Sequence, residues 1–212
     1  NMGGIYVKIG HVMSTVGGEL IEDTYLTALA TLQDGIPHRP IHQMANIIET
    51  STGKTMEELF DYFESVPIGA ASSAQAHRAR LWDGTEVVVK VQYPEVAELY
   101  QADFTNLKMV TRLLAPEQLP TVQTLRERHE NELDFRQEAA HLQEVSDNMH
   151  RHGLQPKLIR IPRVIGNATQ HVLCMEYMEG ISLKEAMHNE LEDIAVAMGY
   201  SDAASLRKTI QD

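Results

Sequence analysis

The chain has 212 residues, of which 43% are hydrophobic and 23% are charged, a balance typical of a globular protein with its own core. Its 18 lysines and arginines face 30 acidic residues, and the net charge of −12 argues against bulk electrostatic binding of nucleic acid. The single Cys174 excludes an internal disulfide and any zinc site built from several cysteines. No window approaches the roughly 18 to 20 apolar residues of a membrane-spanning helix, so we expect none in this chain.

Residues 1–64 have the pattern of a helical extension. Apolar residues at helical spacing predict three helices, of which the first has the stripe Ile5, Ile9, Val12 and Val16. Thr55 and Glu58 have the spacing of a capping box and predict a fourth helix that continues through Phe63.

Residues 65–180 have a different pattern. Small and β-branched residues over 65–93 predict three strands, of which the last two form a hairpin around the turn at Asp83-Gly84. Helical patterns follow over 96–114 and from Thr121 towards Met149, and two short strands are predicted near 163–165 and 171–177. Residues 181–212 have the helical pattern of a tail or of the start of a large lobe. Five strands with a long helix between the third and fourth, an α+β pattern, is the order of a protein-kinase small lobe.

A kinase small lobe needs a lysine on its third strand and a loop that covers the nucleotide phosphates. Val87-Val88-Val89-Lys90 supplies a β-run that ends in lysine, although such runs also occur in many ordinary edge strands. Upstream, Gly69-Ala70-Ala71-Ser72 occupies the place of a glycine-rich loop with only one glycine. Each added methyl group limits the approach of the backbone to a phosphate, so this segment alone is typical of an ordinary tight hairpin.

A kinase small lobe also needs a helix carboxylate that holds the lysine. On the predicted long helix, Asp134 and Glu138 are four residues apart and share a face, whereas Glu132 points elsewhere. Carboxylates on a helix are usually solvated, but Phe135 and Ala139 flank Glu138 on the core side and favour a partly buried role.

Taken together, these segments are similar in order and spacing to the UbiB family of atypical kinases, also called aarF-domain kinases. The resemblance covers roughly residues 5 to 187. It is carried by Lys8-Ile9-Gly10-His11, Gly69-Ala70-Ala71-Ser72, Lys90-Val91-Gln92-Tyr93-Pro94, Glu132-Leu133-Asp134-Phe135 with Glu138, and Val172-Leu173-Cys174-Met175-Glu176-Tyr177.

The resemblance implies a role for each matching position around a nucleotide. Lys90 would contact the phosphates and Glu138 would be its ion-pair partner, so that the two groups are expected to face one another. Residues 69–72 would form the alanine-rich loop of the family. The hinge beside the adenine would include Glu176 and Met178, with Met175 as the gatekeeper.

A second implied feature is a gating motif. Lys8, Gly10 and His11 would belong to the K-x-G-Q motif of the family, on a helix that lies across the active site. The E-x-D pair, here Glu132 and Asp134, would face that motif, and we expect Lys8 to point towards one of these acids. His11 stands where the family has glutamine, which adds a group that titrates near neutral pH.

The resemblance further implies an ATPase or small-molecule kinase that uses ATP or ADP with Mg²⁺ and supports isoprenoid-quinone (coenzyme Q) metabolism. Its location would be a membrane of a mitochondrion, a plastid or a bacterial cell, with lipid or quinone-pathway proteins as partners. No catalytic-loop aspartate with its asparagine and no Asp-Phe-Gly follows Met178, so we expect the large lobe and its metal ligands to be absent from this chain.

Two other functions fit less of this pattern. A non-catalytic regulator that binds nucleotide or lipid stays open. A helical interaction module without a ligand does not explain why Lys90, Glu138 and the alanine-rich loop occur together. A metal centre at His150 and His152 is disfavoured, because residues two apart on a helix point in different directions.

Overall fold

The computed structural model describes residues 38–211, which fall into two compact units, residues 38–177 and residues 178–211. The helices of the first unit are α1 (Ile41–Thr52), α2 (Met56–Leu59), α3 (Val96–Leu114), α4 (Leu119–Glu132) and α5 (Phe135–Arg151), with a 3-10 turn at Pro116–Gln118. Its strands are β1 (Phe60–Phe63), β2 (Gly69–Ala70), β3 (Ala74–Leu81), β4 (Glu86–Gln92) and β5 (Val172–Glu176). The second unit contains α6 (Leu183–Ala197) and α7 (Ala203–Gln211).

The five strands form one antiparallel sheet. Its order is β1-β3-β4-β5, and β2 also pairs with β3. The two short strands follow one another along β3, β1 opposite residues 79–81 and β2 opposite residues 75–76. β1 and β2 therefore share the edge position of the sheet, β3 is second and β4 is third. The α+β fold with five antiparallel strands and packed helices agrees with the small-lobe prediction.

Each face of the sheet covers a hydrophobic core, because side chains alternate along β4. Val87, Val89 and Val91 are fully buried on one face, within the larger core, which also contains residues of α1 and α3. The opposite face contributes Leu173, which packs in a second, smaller core with Phe135 and other residues of α5. The sheet thus lies between α1 and α3 on one face and α5 on the other.

The predicted fourth helix is shorter than expected. The capping box is confirmed, since the Thr55 side chain accepts the Glu58 amide and the Glu58 carboxylate accepts the Thr55 amide. The helix nevertheless ends at Leu59, and Phe60 enters an extended conformation with φ −128° and ψ 135°. The prediction of helix through Phe63 was wrong because β3 offers residues 60–63 a partner strand that local sequence cannot reveal.

The predicted long helix from Thr121 to Met149 is two helices. The helix is interrupted at Leu133 and Asp134. Asp134 leaves the helical region with φ −119° and ψ 103°, and its carboxylate caps the start of α5. Asp134 and Glu138 are therefore not on one continuous helix face. A side chain from β4 and a carbonyl before β5 supply the hydrogen bonds that favour this break.

The other elements follow the predictions closely. The β3–β4 hairpin, the helix over 96–114 and the two tail helices are confirmed, with Gly199 between the latter at φ +87°. The strand near 163–165 is only an isolated bridge from Val164 to Met175. The first two predicted helices lie outside the described residues. Within residues 38–211, no helix combines the length and hydropathy needed to span a bilayer.

Candidate functional site

The candidate site is built around an ion pair between β4 and the first turn of α5. Lys90 Nζ lies 2.8 and 2.7 Å from the two carboxylate oxygens of Glu138, so the predicted proximity of these groups is confirmed. The two side chains keep 29% and 37% of their surface exposed. A ligand can therefore reach the ammonium without first breaking into the core.

The local sequence explains why these groups meet. Alternation along β4 places Lys90 on the face opposite Val89 and Val91, towards α5. On α5, Phe135 and Glu138 are three residues apart and lie on one side of the helix. Phe135 is buried, and Lys90 Nζ lies 4.6 Å from the centroid of its ring, within range of a cation–π contact. A carboxylate and an aromatic ring thus hold the ammonium together.

The alanine-rich loop begins in β2, which contains Gly69 and Ala70, and continues into the turn before β3 with Ala71 and Ser72. The Ala71 amide donates to the Ala74 carbonyl at 2.8 Å and closes this turn. The loop is therefore tight, with its tip at the start of β3.

The register of the sheet places this loop near the lysine. Gly69 lies opposite Ala76, and Ala76 lies opposite Lys90, so the three residues form one row across three strands. With about 4.8 Å between neighbouring strands, the backbones of Gly69 and Lys90 are about 10 Å apart. The sheet therefore brings the loop and the ion pair to the same region.

The predicted hinge residues belong to different units. Glu176 ends β5, and its carboxylate lies 3.1 Å from Arg160 and 3.4 Å from Arg163. Partial burial alone would raise the pKa of Glu176, but hydrogen bonds from the amide and guanidinium of Arg163 and the charge of Arg160 outweigh it, and the pKa lies below its usual value. Met178 is the first residue of the second unit. Met175 lies in β5 opposite Val88.

The predicted gating motif is described only in part. Lys8, Gly10 and His11 lie outside residues 38–211, so the expected contact of Lys8 with an acid stays a prediction. Glu132 is the last residue of α4. The Asp134 carboxylate lies 2.6 Å from Arg136 Nη2, and these hydrogen bonds hold the pKa of Asp134 below its usual value.

Two buried polar networks, one beside the site and one on the opposite face of the sheet, were not assigned a role from sequence. Gln92 is 2% exposed, and its side chain has two partners. One is the Leu133 carbonyl, at the break between α4 and α5, and the other is the His171 ring. Gln75 and His77, on β3, are 1% and 0% exposed. The available signal for Gln92 was its spacing, because a glutamine two residues after a strand lysine must lie on the same face.

Within the described part of the chain, no cluster of three or more histidine, cysteine, aspartate or glutamate residues could hold a metal ion. The groups that this site offers to an anionic ligand are the Lys90 ammonium and the backbone of the alanine-rich loop, residues 69–72.

A five-stranded antiparallel sheet, packed on a helix whose carboxylate pairs with a strand lysine, has the architecture of a kinase-like small lobe. The sequence pattern of the ABC1 atypical kinase-like domain matches residues 31–203, and the chain belongs to this family.

Relatives of this chain include kinases from several kinds of organism. AarF domain-containing protein kinase 1 of Xenopus laevis is 32% identical over 91% of this chain and 37% of its own length. The mitochondrial atypical kinase COQ8B of Rattus norvegicus is 34% identical over 86% of this chain and 35% of its own length. The chloroplastic ACTIVITY OF BC1 COMPLEX KINASE 8 of Arabidopsis thaliana is 31% identical over 87% of this chain and 25% of its own length. This chain thus spans between 25% and 37% of the length of these curated relatives.

A solved structure has the same fold. The structure of Rv3197 with erythromycin, from Mycobacterium tuberculosis, superimposes with a TM-score of 0.61 at 27% sequence identity, covering 91% of this chain and 50% of that chain.

Proposed function

We propose that this chain binds the phosphates of an adenine nucleotide and is the kinase-like part of an ATP-dependent enzyme. The observation that carries this proposal is the Lys90–Glu138 ion pair, solvent-accessible and in one region with the alanine-rich loop. Charged hydrogen bonds from a fixed ammonium to phosphate oxygens are among the stronger polar contacts in proteins. Glu138 would keep the ammonium oriented until the nucleotide binds.

Gly69 supports a phosphate-binding role for the loop. Its backbone is not in the left-handed region, and a Cβ added there would meet nothing within 4 Å among the described residues. The fold of the described chain therefore does not itself require glycine at this position. A requirement for close approach by a ligand is a physical reason for its presence.

The remaining predicted site residues complete the proposal. Glu176 and Met178 would border the adenine, and Lys8, Gly10 and His11 would face Glu132 and Asp134. Mg²⁺ would accompany ATP in the longer protein, and we assign it no ligand among residues 38–211. When bound, it would neutralise charge on the phosphates that Lys90 contacts.

For the longer protein we propose ATPase or small-molecule kinase activity that supports isoprenoid-quinone metabolism at a membrane of a mitochondrion, a plastid or a bacterium. The support is similarity to relatives that are named as a mitochondrial atypical kinase and a chloroplastic kinase. A non-catalytic nucleotide-binding regulator would use the same ion pair. Nucleotide turnover by the full-length protein distinguishes the two, because a regulator binds ATP without consuming it.

The test of nucleotide binding compares Lys90→Ala, Glu138→Gln and a matched control, Lys108→Ala, in the full-length protein. Lys108 is an exposed lysine on α3. Removing a charged hydrogen-bond partner costs about 1.5–3 kcal/mol, so we expect the ATP dissociation constant to rise at least about tenfold for Lys90→Ala. Glu138→Gln should raise it less, and Lys108→Ala should leave it unchanged. Isothermal titration calorimetry gives the three values. Equal affinity in all variants would contradict the proposal.

A further inference from the structure

We propose that Gln92 is a positioning residue that holds the start of α5 so that Glu138 reaches Lys90. This inference rests on the proposed nucleotide-binding function, which gives the ion pair its role. It assigns a task to a buried side chain that neither contacts the ion pair nor belongs to the alanine-rich loop.

Gln92 makes hydrogen bonds in two directions. Its Nε2 donates to the Leu133 carbonyl at 3.0 Å, and its Oε1 lies 2.8 Å from Nδ1 of His171. Its backbone amide also donates to the His171 carbonyl at 2.9 Å. With only 2% of its surface exposed, the side chain has no access to water as a substitute partner.

These contacts fix the orientation of the amide. Because Nε2 donates to a carbonyl, Oε1 must be the acceptor for His171, and His171 must carry a proton on Nδ1. Rotating the amide by 180° would place its oxygen against the oxygen of the Leu133 carbonyl, and neither atom can donate a hydrogen bond. The Gln92 side chain is therefore locked by its partners.

The Leu133 carbonyl lies at the break where α4 ends and α5 is about to begin. A second hydrogen bond, from the Phe135 amide to the Gln170 carbonyl at 3.1 Å, fastens the other side of the break. Glu138 follows one turn later on a regular helix. Because α5 is a regular helix from Phe135 onwards, holding the segment at its start also sets where the Glu138 side chain lies, and the hydrogen bonds to Leu133 and Phe135 hold that segment.

The lysine and the positioning residue share one strand. Lys90 and Gln92 are two residues apart on β4, so they lie on the same face, about 7 Å apart along the strand. The strand that presents the ammonium thus also holds the helix that carries the carboxylate. Lys90 and Glu138 are thus connected through β4, the hydrogen bond from Gln92 to the Leu133 carbonyl, and the start of α5. This short connection sets the distance between the two charged groups.

A double-mutant cycle separates positioning from general stabilisation. The variants are Gln92→Leu, Glu138→Gln and their combination, with Gln75→Leu as the matched control. Gln75 is an equally buried glutamine on β3, and its side chain bonds to Arg39, His77 and Tyr93 rather than to α5. We expect Gln92→Leu to weaken ATP binding about fivefold in the native background, no more than Glu138→Gln does, but less than about twofold once Glu138 is already Gln. Gln75→Leu should change affinity by the same factor in both backgrounds.

A readout without nucleotide keeps this inference distinguishable from the proposed function. The ¹³C signal of the Glu138 carboxylate in the apo protein reports its pairing with Lys90, with Lys90→Ala as the unpaired reference. We expect Gln92→Leu to move this signal towards that reference and Gln75→Leu to leave it in place. If Gln92→Leu leaves the signal unchanged, or weakens ATP binding equally in both backgrounds, the positioning role is overturned. If Lys90→Ala has no effect on ATP binding while the signal behaves as expected, the nucleotide proposal fails and the positioning role stands.

His171 provides a gentler variant in case Gln92→Leu does not fold. This side chain is only partly buried. His171→Asn keeps a donor for Gln92 Oε1 and should leave the Glu138 signal near its native position, whereas His171→Ala should shift it towards the unpaired reference. Identical spectra of these two variants would also overturn the positioning role.

Discussion

Lys90 shows how a partly exposed ion pair contributes more to geometry than to stability. Its partners are the Glu138 carboxylate and the ring of Phe135, and both charged side chains keep about a third of their surface in water. Pairs of this exposure add at most about 1 kcal/mol to the free energy of unfolding. Their value lies in orienting an ammonium for a ligand. Lys90→Ala should therefore affect nucleotide binding far more than folding.

Cys174 is a second residue whose chemistry depends on its surroundings. It lies in β5 opposite Val89, and burial raises the pKa of its thiol to about 12. The chain contains no other cysteine, so its reaction with a thiol reagent is unambiguous.

We predict that Cys174 is almost inert towards a thiol reagent in the native protein at pH 8. With a pKa of about 12, its thiolate fraction is about a thousandfold below that of a free cysteine with a pKa of about 8.5. Absorbance of the released chromophore measures the rate, and denaturant should restore one rapidly reacting thiol per chain. Rapid reaction of the native protein would show that β5 is open to solvent.

At the scale of elements, a polar network fastens the segment before α1 to the sheet. Gln75 accepts hydrogen bonds from the Arg39 amide and the Tyr93 hydroxyl, and its Nε2 donates to the Arg39 carbonyl and to Nε2 of His77. His77 Nδ1 donates to the Glu64 carbonyl at 2.8 Å. The network requires a neutral His77, because its Nε2 must accept the hydrogen bond from Gln75.

This requirement leads to a pH-dependent stability. Burial is the largest cause that lowers the pKa of His77, and the charge of His38 adds to it, against a smaller opposing effect of the Glu64 carbonyl. The folded protein then binds the proton more weakly than the unfolded chain, whose histidine has a pKa of about 6.5. The free energy of unfolding should therefore fall as the pH decreases below about 6.5.

Urea denaturation at pH 7.5 and pH 5.5 measures this effect. We expect the native protein to lose stability between the two values and His77→Gln to lose less, even though that variant starts from a lower stability. His150→Gln, at an exposed histidine, should retain the full native pH dependence. If His77→Gln retains it as well, the network does not control the response.

At the scale of the whole molecule, the chain forms two compact units, each with its own buried residues. In the first, Leu173 is fully buried between the sheet and α5. In the second, Leu206 is 4% exposed, and Ala195 and Ala203 are also buried. The Glu192 carboxylate also accepts the Ala203 amide at 3.0 Å and joins α6 to the start of α7.

We predict that the two units lose stability separately. Removing a buried leucine side chain costs about 2–5 kcal/mol. Leu206→Ala should therefore speed amide hydrogen exchange in residues 183–211 while protection of β4 and α5 stays near native. Leu173→Ala should have the reverse effect. Hydrogen-exchange mass spectrometry measures both regions in one experiment, and equal acceleration in both regions would show that they unfold as one cooperative unit.

The sequence alone determined the features that depend on local pattern and on motif. The β-branched run that ends at Lys90 identified the strand, Asp83-Gly84 identified the hairpin, and the Thr55 capping box identified a helix start. The motifs that begin at Lys8, Gly69, Lys90, Glu132 and Val172 carried the resemblance to the family, and that resemblance implied the pairing of Lys90 with Glu138. These features are readable because each is encoded within a few neighbouring residues.

Only the tertiary structure decided the features that depend on a distant partner. Residues 60–63 become β1 because β3 lies beside them, and the helix over 121–149 breaks at Leu133 because Gln92 and Gln170 bind the backbone there. Gln92 reads as one polar residue in a strand until the fold places a helix end against it. Hydrogen bonds between segments far apart in sequence leave little local pattern, so the fold is needed to find them.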